Sequence, residues 1–153
     1  MNAVELLKAD HKVVDQLFQK VKATEDGEHK KLFDKIKAEL DVHTHIEETI
    51  FYPKLIKDGD EELKDIVLEG IEEHRQAKMF LRELANLSEE SEKFEPKLKV
   101  LMEDITHHVM EEEGEMFKMV EEQFDAKVVD ALGAEMEAAK KDFKGSSKSK
   151  SAS

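Results

Sequence analysis

Four histidines and two glutamates recur in the chain at spacings that suit metal coordination. His43 and His108 are each followed by a glutamate four residues on, as His43-Thr44-His45-Ile46-Glu47 and His108-Val109-Met110-Glu111-Glu112. On an α-helix four residues span ~6 Å of rise and about 40° of rotation, so both side chains of each pair can address one point. His11 and His74 each follow an acid, Asp10 and Glu73. Asp10-His11 matches Glu73-His74 at an offset of 63 residues, and His43 to Glu48 matches His108 to Glu113 at an offset of 65. Leu40 then aligns with Ile105 and Tyr52 with Phe117. Two equivalent halves, each with one His helix and one HxxxE helix, imply two metal positions about a pseudo-twofold axis. Imidazole and carboxylate without thiolate suit iron, manganese or zinc. A structural zinc site closes around a single tetrahedral ion, whereas bundles that hold two ions share carboxylates between them. Two histidines per ion and two shared glutamates make four protein donors for each. A solvent oxygen between the ions makes a fifth and leaves a position on each for O2, peroxide or NO.

Such a cluster needs helices that converge, and the chain supplies them. Pro and Gly are scarce, at 2 and 6 of 153 residues, so helix formers dominate and the few breakers mark the joints. Asn2 with Glu5 reads as a capping box opening a first helix over about 3–23. Asp26-Gly27 is a turn before a second helix over about 28–56, with Pro53 placed to kink or stop it. Asp60 caps a third helix reaching about 87. Pro96 fits the first turn of a fourth that runs to about 123, and a shorter fifth covers about 126–143. The apolar seams at steps of three and four are Val4, Leu7, His11, Val14, Phe18, Val21 in the first helix and Phe33, Ile36, Leu40, His43, Glu47, Ile50 in the second. The third seam is Leu63, Val67, Gly70, His74, Ala77, Leu81, Leu84; the fourth is Leu98, Leu101, Ile105, His108, Glu112, Glu115, Met119. Each seam is apolar except near its middle, where it carries a His. The expected fold is all-α, an up-down-up-down four-helix bundle over 1–123. An additional C-terminal helix (124–144) and a disordered polar tail (145–153) follow. Unpaired buried imidazoles and carboxylates cost several kcal/mol each, roughly, and bound cations remove that cost.

Composition closes off other chemistries. The chain has no Cys, which excludes thiolate zinc, iron–sulfur clusters and a cysteine nucleophile. Its net charge of −13 makes it a poor partner for nucleic acid or anionic membranes. No apolar run approaches a membrane span, and the N-terminus has no signal-peptide pattern, so the expected location is the cytoplasm.

The ordered set of a His, then HxxxEE followed by Phe51-Tyr52-Pro53, then a second His, then His107-His108-Val109-Met110-Glu111-Glu112-Glu113-Gly114-Glu115-Met116-Phe117 resembles the hemerythrin-like HHE cation-binding proteins. The resemblance covers about 3–123 and implies a non-haem di-iron centre, two iron ions with an oxo or hydroxo bridge, that binds O2. By motif it implies His11 and His43 on one iron, His74 and His108 on the other, and Glu47 and Glu112 as bridges. Oxygen carriers of the family have a second His on the third helix and HxxxxD on the fourth. Here those positions hold Gly70 or Lys78, and HxxxE. The pattern is closer to the four-His, two-Glu version of regulatory and bacterial relatives. The implied function is O2 storage, delivery or sensing. The alternatives are an enzyme consuming peroxide or reducing NO, and a metal buffer without redox turnover.

Other residues take lesser roles. His45 is expected on the surface, His107 off the seam (with an exchanged His107–Glu111 pair as the variant), and His29 at the bundle end. Glu48 and Glu113 are expected to support ligand histidines. Gly70 and Ala77 are either close-packing residues or the wall of a small pocket. Tyr52 is read as packing at the bundle end, with a hydrogen bond near the site as the alternative, Lys78 as solvated or snorkelling, and Met79, Met110, Met116 and Met119 as core filler. Val128, Val129, Leu132 and Met136 face the fifth helix toward a bundle end or flank.

Overall fold

The computed structural model describes residues 1–25 and 27–145 with their side chains, and follows the backbone to 152. Asp26 and most of the 145–153 tail, with the disorder expected there, lie outside the described residues. Among the described residues every regular element is helical.

Asn2 caps α1 (Ala3–Ala23) as the sequence implies: its Oδ1 accepts from Glu5 N at 2.8 Å, and Glu5 Oε1 accepts from Asn2 N at 3.0 Å. Gly27 supplies the turn with φ 108°, a left-handed conformation that glycine adopts without strain. The second rod then runs as α2 (His29–Ile46), a π-helical stretch (Glu47–Phe51) and α3 (Tyr52–Asp58). Pro53 neither ends nor breaks it. The wider π turn, closed by Tyr52 N donating to Glu47 O, precedes the proline, whose missing N–H falls at the start of α3. Asp60 caps α4 (Glu61–Ala85) through Leu63 N at 2.9 Å. The fourth rod repeats the second: α5 (Phe94–Glu111), a π-helical stretch (Glu112–Met116) and α6 (Phe117–Gln123). Finally α7 (Ala126–Ala152) lies along the flank of α1 and α2, longer than the expected fifth helix.

The four rods enclose two apolar plugs. One gathers Leu7, Phe51, Leu55, Leu63, Phe117 and Val120 with Val129, Leu132 and Met136 of α7. The other gathers Phe18, Phe33, Leu40, Leu81, Phe94 and Leu98. The seams of α1 and α4 are buried as spaced. In the second and fourth rods the seam slips by one residue after the glutamate. Phe51 and Met116 are buried where Ile50 and Glu115 were expected, and Glu115 is exposed. Each π turn inserts one residue, which rotates everything after it. Of the methionines expected in the core, Met116 is buried, whereas Met79 and Met110 are exposed.

Candidate metal centre

The slab between the plugs is polar. His11, His43, His74 and His108 are buried, as are Glu47 and Glu112 at 0% and 1% exposure. The structure brings all six sequence-expected residues together. The rings pair: His11 and His43 have centroids 4.9 Å apart, His74 and His108 5.0 Å. Each glutamate touches one histidine from each pair. Glu47 Oε1 lies 3.1 Å from both His43 Nε2 and His74 Nε2. Glu112 Oε1 lies 3.2 Å from His11 Nε2, and its Oε2 lies 3.2 Å from His108 Nε2.

All four histidines turn Nε2 inward and are held from outside at Nδ1. His11 donates to Glu113 (2.6 Å), His43 to Asp10 (3.0 Å), His74 to Glu48 (2.8 Å) and His108 to Glu73 (2.6 Å). A carboxylate on the outer nitrogen fixes the tautomer and the ring direction and makes the inner nitrogen a better donor to a cation. Glu48 and Glu113 therefore do what the sequence suggested. Asp10 and Glu73 do the same, and the acid-His dipeptides were their only sequence signal. Further out, Lys78 Nζ donates to Glu48 at 2.5 Å rather than standing free in solvent, and Lys140 of α7 donates to Asp10.

Tyr52 belongs to the site, not to packing at the bundle end. Its hydroxyl donates to Glu112 Oε2 at 2.6 Å and lies 3.3 Å from His74 Nε2. Phe117, its counterpart in the other half, stacks on His11 with ring centroids 5.9 Å apart. The π turns explain both placements, since they bring residue i+5 back beside the glutamate. Gly70 is not forced to be glycine: a Cβ there would make ordinary contacts of 3.5 Å with His108 and the Tyr52 hydroxyl.

The electrostatics follow from burial and pairing. Burial works against a charged His43, but Glu47 and Asp10 outweigh it and raise its pKa to about 10. His108 is opposed by burial too, yet Glu112 and Glu73 lift it to about 11. Burial pushes the Glu112 carboxyl up, but the His108 and His11 imidazoles beside it hold it well below the carboxylate range. His74 and Lys78 bring Glu48 down to about 2. Burial, Glu112 and Glu47 all keep the Tyr52 phenol protonated.

The donor set fits cations. His11 Nε2, His108 Nε2, Glu112 Oε1 and both Glu47 oxygens are buried without a hydrogen-bond partner. Neighbouring donors at 3.1–3.2 Å match the roughly 3 Å between adjacent ligands at right angles on an ion with bonds of about 2.1 Å. Within this slab, two groups of atoms lie close enough to share an ion: His11, His43 and Glu112, and Glu47, His74, His108 and Glu112. Above the histidines is a cavity of about 230 Å³, walled by them and by Val14, Leu40, Ala77, Leu81 and Ile105. Ala77 is thus a wall residue as well as a packing one. The remaining histidines stay outside: His45 is exposed against Phe143, His107 is exposed beside Glu111, and His29 bonds Glu95 and the Thr24 carbonyl at the bundle end.

Fold and site together define a helical-bundle protein with a buried histidine–carboxylate cation centre. Residues 2–120 match the hemerythrin HHE cation-binding domain, and the chain belongs to that family. It is similar to the crystal structure of a hemerythrin HHE cation-binding domain-containing protein, the Rv2633c homologue from Mycobacterium kansasii. The TM-score is 0.81 at 28% identity, covering 95% of this chain and 89% of that one. It is also 25% identical over 145 residues to a DNA nickase of Nostoc sp. (strain PCC 7120), matching 92% of this chain but 39% of that longer protein. No helix among the described residues is long and apolar enough to cross a membrane.

Proposed function

We propose that the protein holds two iron ions, His11 and His43 on one and His74 and His108 on the other, with Glu47 and Glu112 shared, and that it binds O2 at this centre for storage, delivery or sensing. The observation that supports this most is the contact pattern of the two glutamates, each touching one histidine of each pair. A carboxylate so placed serves two ions at once. The nitrogen and oxygen donors suit iron better than a soft metal. When bound, such an iron pair supplies two electrons and an open position for a diatomic ligand.

The chain's own residues favour binding over turnover. The cavity beside the histidines has an aliphatic wall of Val14, Leu40, Ala77, Leu81, Ile105 and Val109 that suits an apolar gas, while Glu73, Gln76, Lys78, Asp104 and His107 line the rest of it. The Tyr52 phenol keeps its proton, so it steadies Glu112 as a hydrogen-bond donor rather than acting as an acid. The cytoplasm is the setting this reading takes, since a chain without Cys needs no oxidising compartment to form disulfides.

Metal analysis with optical spectroscopy tests the reading. Two irons per chain are expected, with absorption bands that vanish on reduction and return with O2. One zinc per chain without a chromophore would sink it. Glu47→Ala or Glu112→Ala should abolish the iron pair, and full iron retention would place the bridge elsewhere. Rapid consumption of peroxide or NO by the reduced protein would replace O2 binding with the enzymatic reading.

A further inference from the structure

The helix that carries His108 and Glu112 repeats the same spacing one residue earlier, on its outer face. His107 Nε2 lies 3.0 Å from Glu111 Oε1, with the His107 side chain 67% exposed. Glu73 of α4 stands across from them, half-buried, with one oxygen on His108 Nδ1. One donor atom from each of Glu73, His107 and Glu111 lies within 4.8 Å of the other two. The His107–Glu111 pair already stands at the ~3 Å of adjacent ligands in a filled site.

A separate feature points inward from this trio. Beside it is a narrow cleft of about 50 Å³, lined by Glu69, Glu73, Glu111 and Glu115 and ending on His108 and Glu112. Those two end residues are buried, and His108 Nε2 and Glu112 Oε1 have no hydrogen-bond partner. Carboxylates thus run from solvent to two residues of the buried centre. A cleft of one charge sign with low-dielectric walls concentrates the opposite ion.

Among the described residues, the other half of the bundle has nothing equivalent. At the repeat offsets, Glu69, His107, Glu111 and Glu115 correspond to Leu6, Val42, Ile46 and Ile50. The first three are buried, and Ile50 packs against the core that α7 joins. Glu73 corresponds to Asp10, which is buried and paired with Lys140 of α7. The acidic opening therefore exists on one face, and α7 closes the other.

We propose that Glu73, His107 and Glu111 form a capture site for a divalent cation, and that the adjoining cleft is the route by which the cation reaches the buried centre. The proposal rests on the dinuclear reading above. Glu73 links the two places, since its second oxygen can face the captured ion while the first holds His108.

The test uses the metal-free full chain under anaerobic conditions. The double variant His107→Ala with Glu111→Gln leaves Glu73 in place because Glu73 also holds a ligand. Fe2+ retained after desalting is followed in time, and exchangeable Mn2+ is counted by the EPR signal of the free ion. Wild type and variant should both reach two retained irons per chain. The variant should load about tenfold more slowly at low salt and bind one fewer exchangeable Mn2+. Glu122→Gln, an exposed charge elsewhere, should load at the wild-type rate. Equal loading by the double variant and wild type overturns the proposal. If neither protein retains two irons, the dinuclear reading fails instead, and the Mn2+ count alone then decides whether the outer trio binds a cation.

Discussion

Each histidine of the centre is held at Nδ1 by a carboxylate from a different helix. The centre is thus held by four cross-helix carboxylates rather than by backbone alone. Beside the histidines, the two halves differ at the hydroxyl that Tyr52 has and Phe117 lacks. Tyr52→Phe should leave the fold and the metal count intact and weaken metal affinity by about 10- to 100-fold, the usual effect of losing an outer partner of a ligand. Competition with a chelator of known affinity measures this, and unchanged affinity would make the hydroxyl incidental. The metal-free protein should also show a pH dependence of definite sign. His43 and His108 titrate near 10 and 11 in the fold, above the ~6.5 of an unfolded chain. Their protonation therefore stabilises the metal-free fold fully below about pH 6.5, less as pH rises, and not at all beyond about 11. Melting temperature should fall from neutral to alkaline pH without metal. Metal-loaded protein should show a flatter profile over the same range, because cations have displaced those protons.

At the scale of elements, the two π turns decide what the site contains. Both begin at a bridging glutamate candidate, Glu47 or Glu112, and both bring an aromatic ring to the histidines. Only the first is followed by proline, so proline is not their common cause. The shared feature is the centre they serve. The added helix matters as well. A Cβ on Gly133 of α7 would lie 2.3 Å from Met1 O, 2.7 Å from Asn2 C and 2.8 Å from Ala3 N, all backbone atoms that cannot turn aside. Gly133→Ala should destabilise the protein by about 1–3 kcal/mol, read from urea unfolding. An unaffected midpoint would mean that α7 does not dock on the start of α1.

Across the whole molecule, a polar slab separates two apolar plugs, and stability depends on what fills the slab. The buried carboxylates and imidazoles are costly when only partly satisfied. Cations that bind the fold and not the unfolded chain add about 4 kcal/mol at a thousandfold excess over Kd. For a chain of this size that is a rise in Tm of roughly 10 °C, reversed by a chelator. A Tm indifferent to metal would show that the slab is satisfied without it.

The sequence by itself determined which six residues meet at the centre, the helices that carry them and the exclusion of thiolate chemistry. Seams of period 3.6 and an internal repeat are local patterns, and they survive folding wherever the helix stays regular. The whole seams of α1 and α4 were legible for that reason. Tertiary structure decided the rest. The π turns shifted the register beyond Glu47 and Glu112, which moved Tyr52 and Phe117 onto the site. Asp10, Glu48, Glu73 and Glu113 became partners of histidines 26 to 102 residues away in sequence. Lys140 reached Asp10 because α7 turned back along the bundle. These pairings depend on how rods pack side by side, and no spacing within a single helix records that.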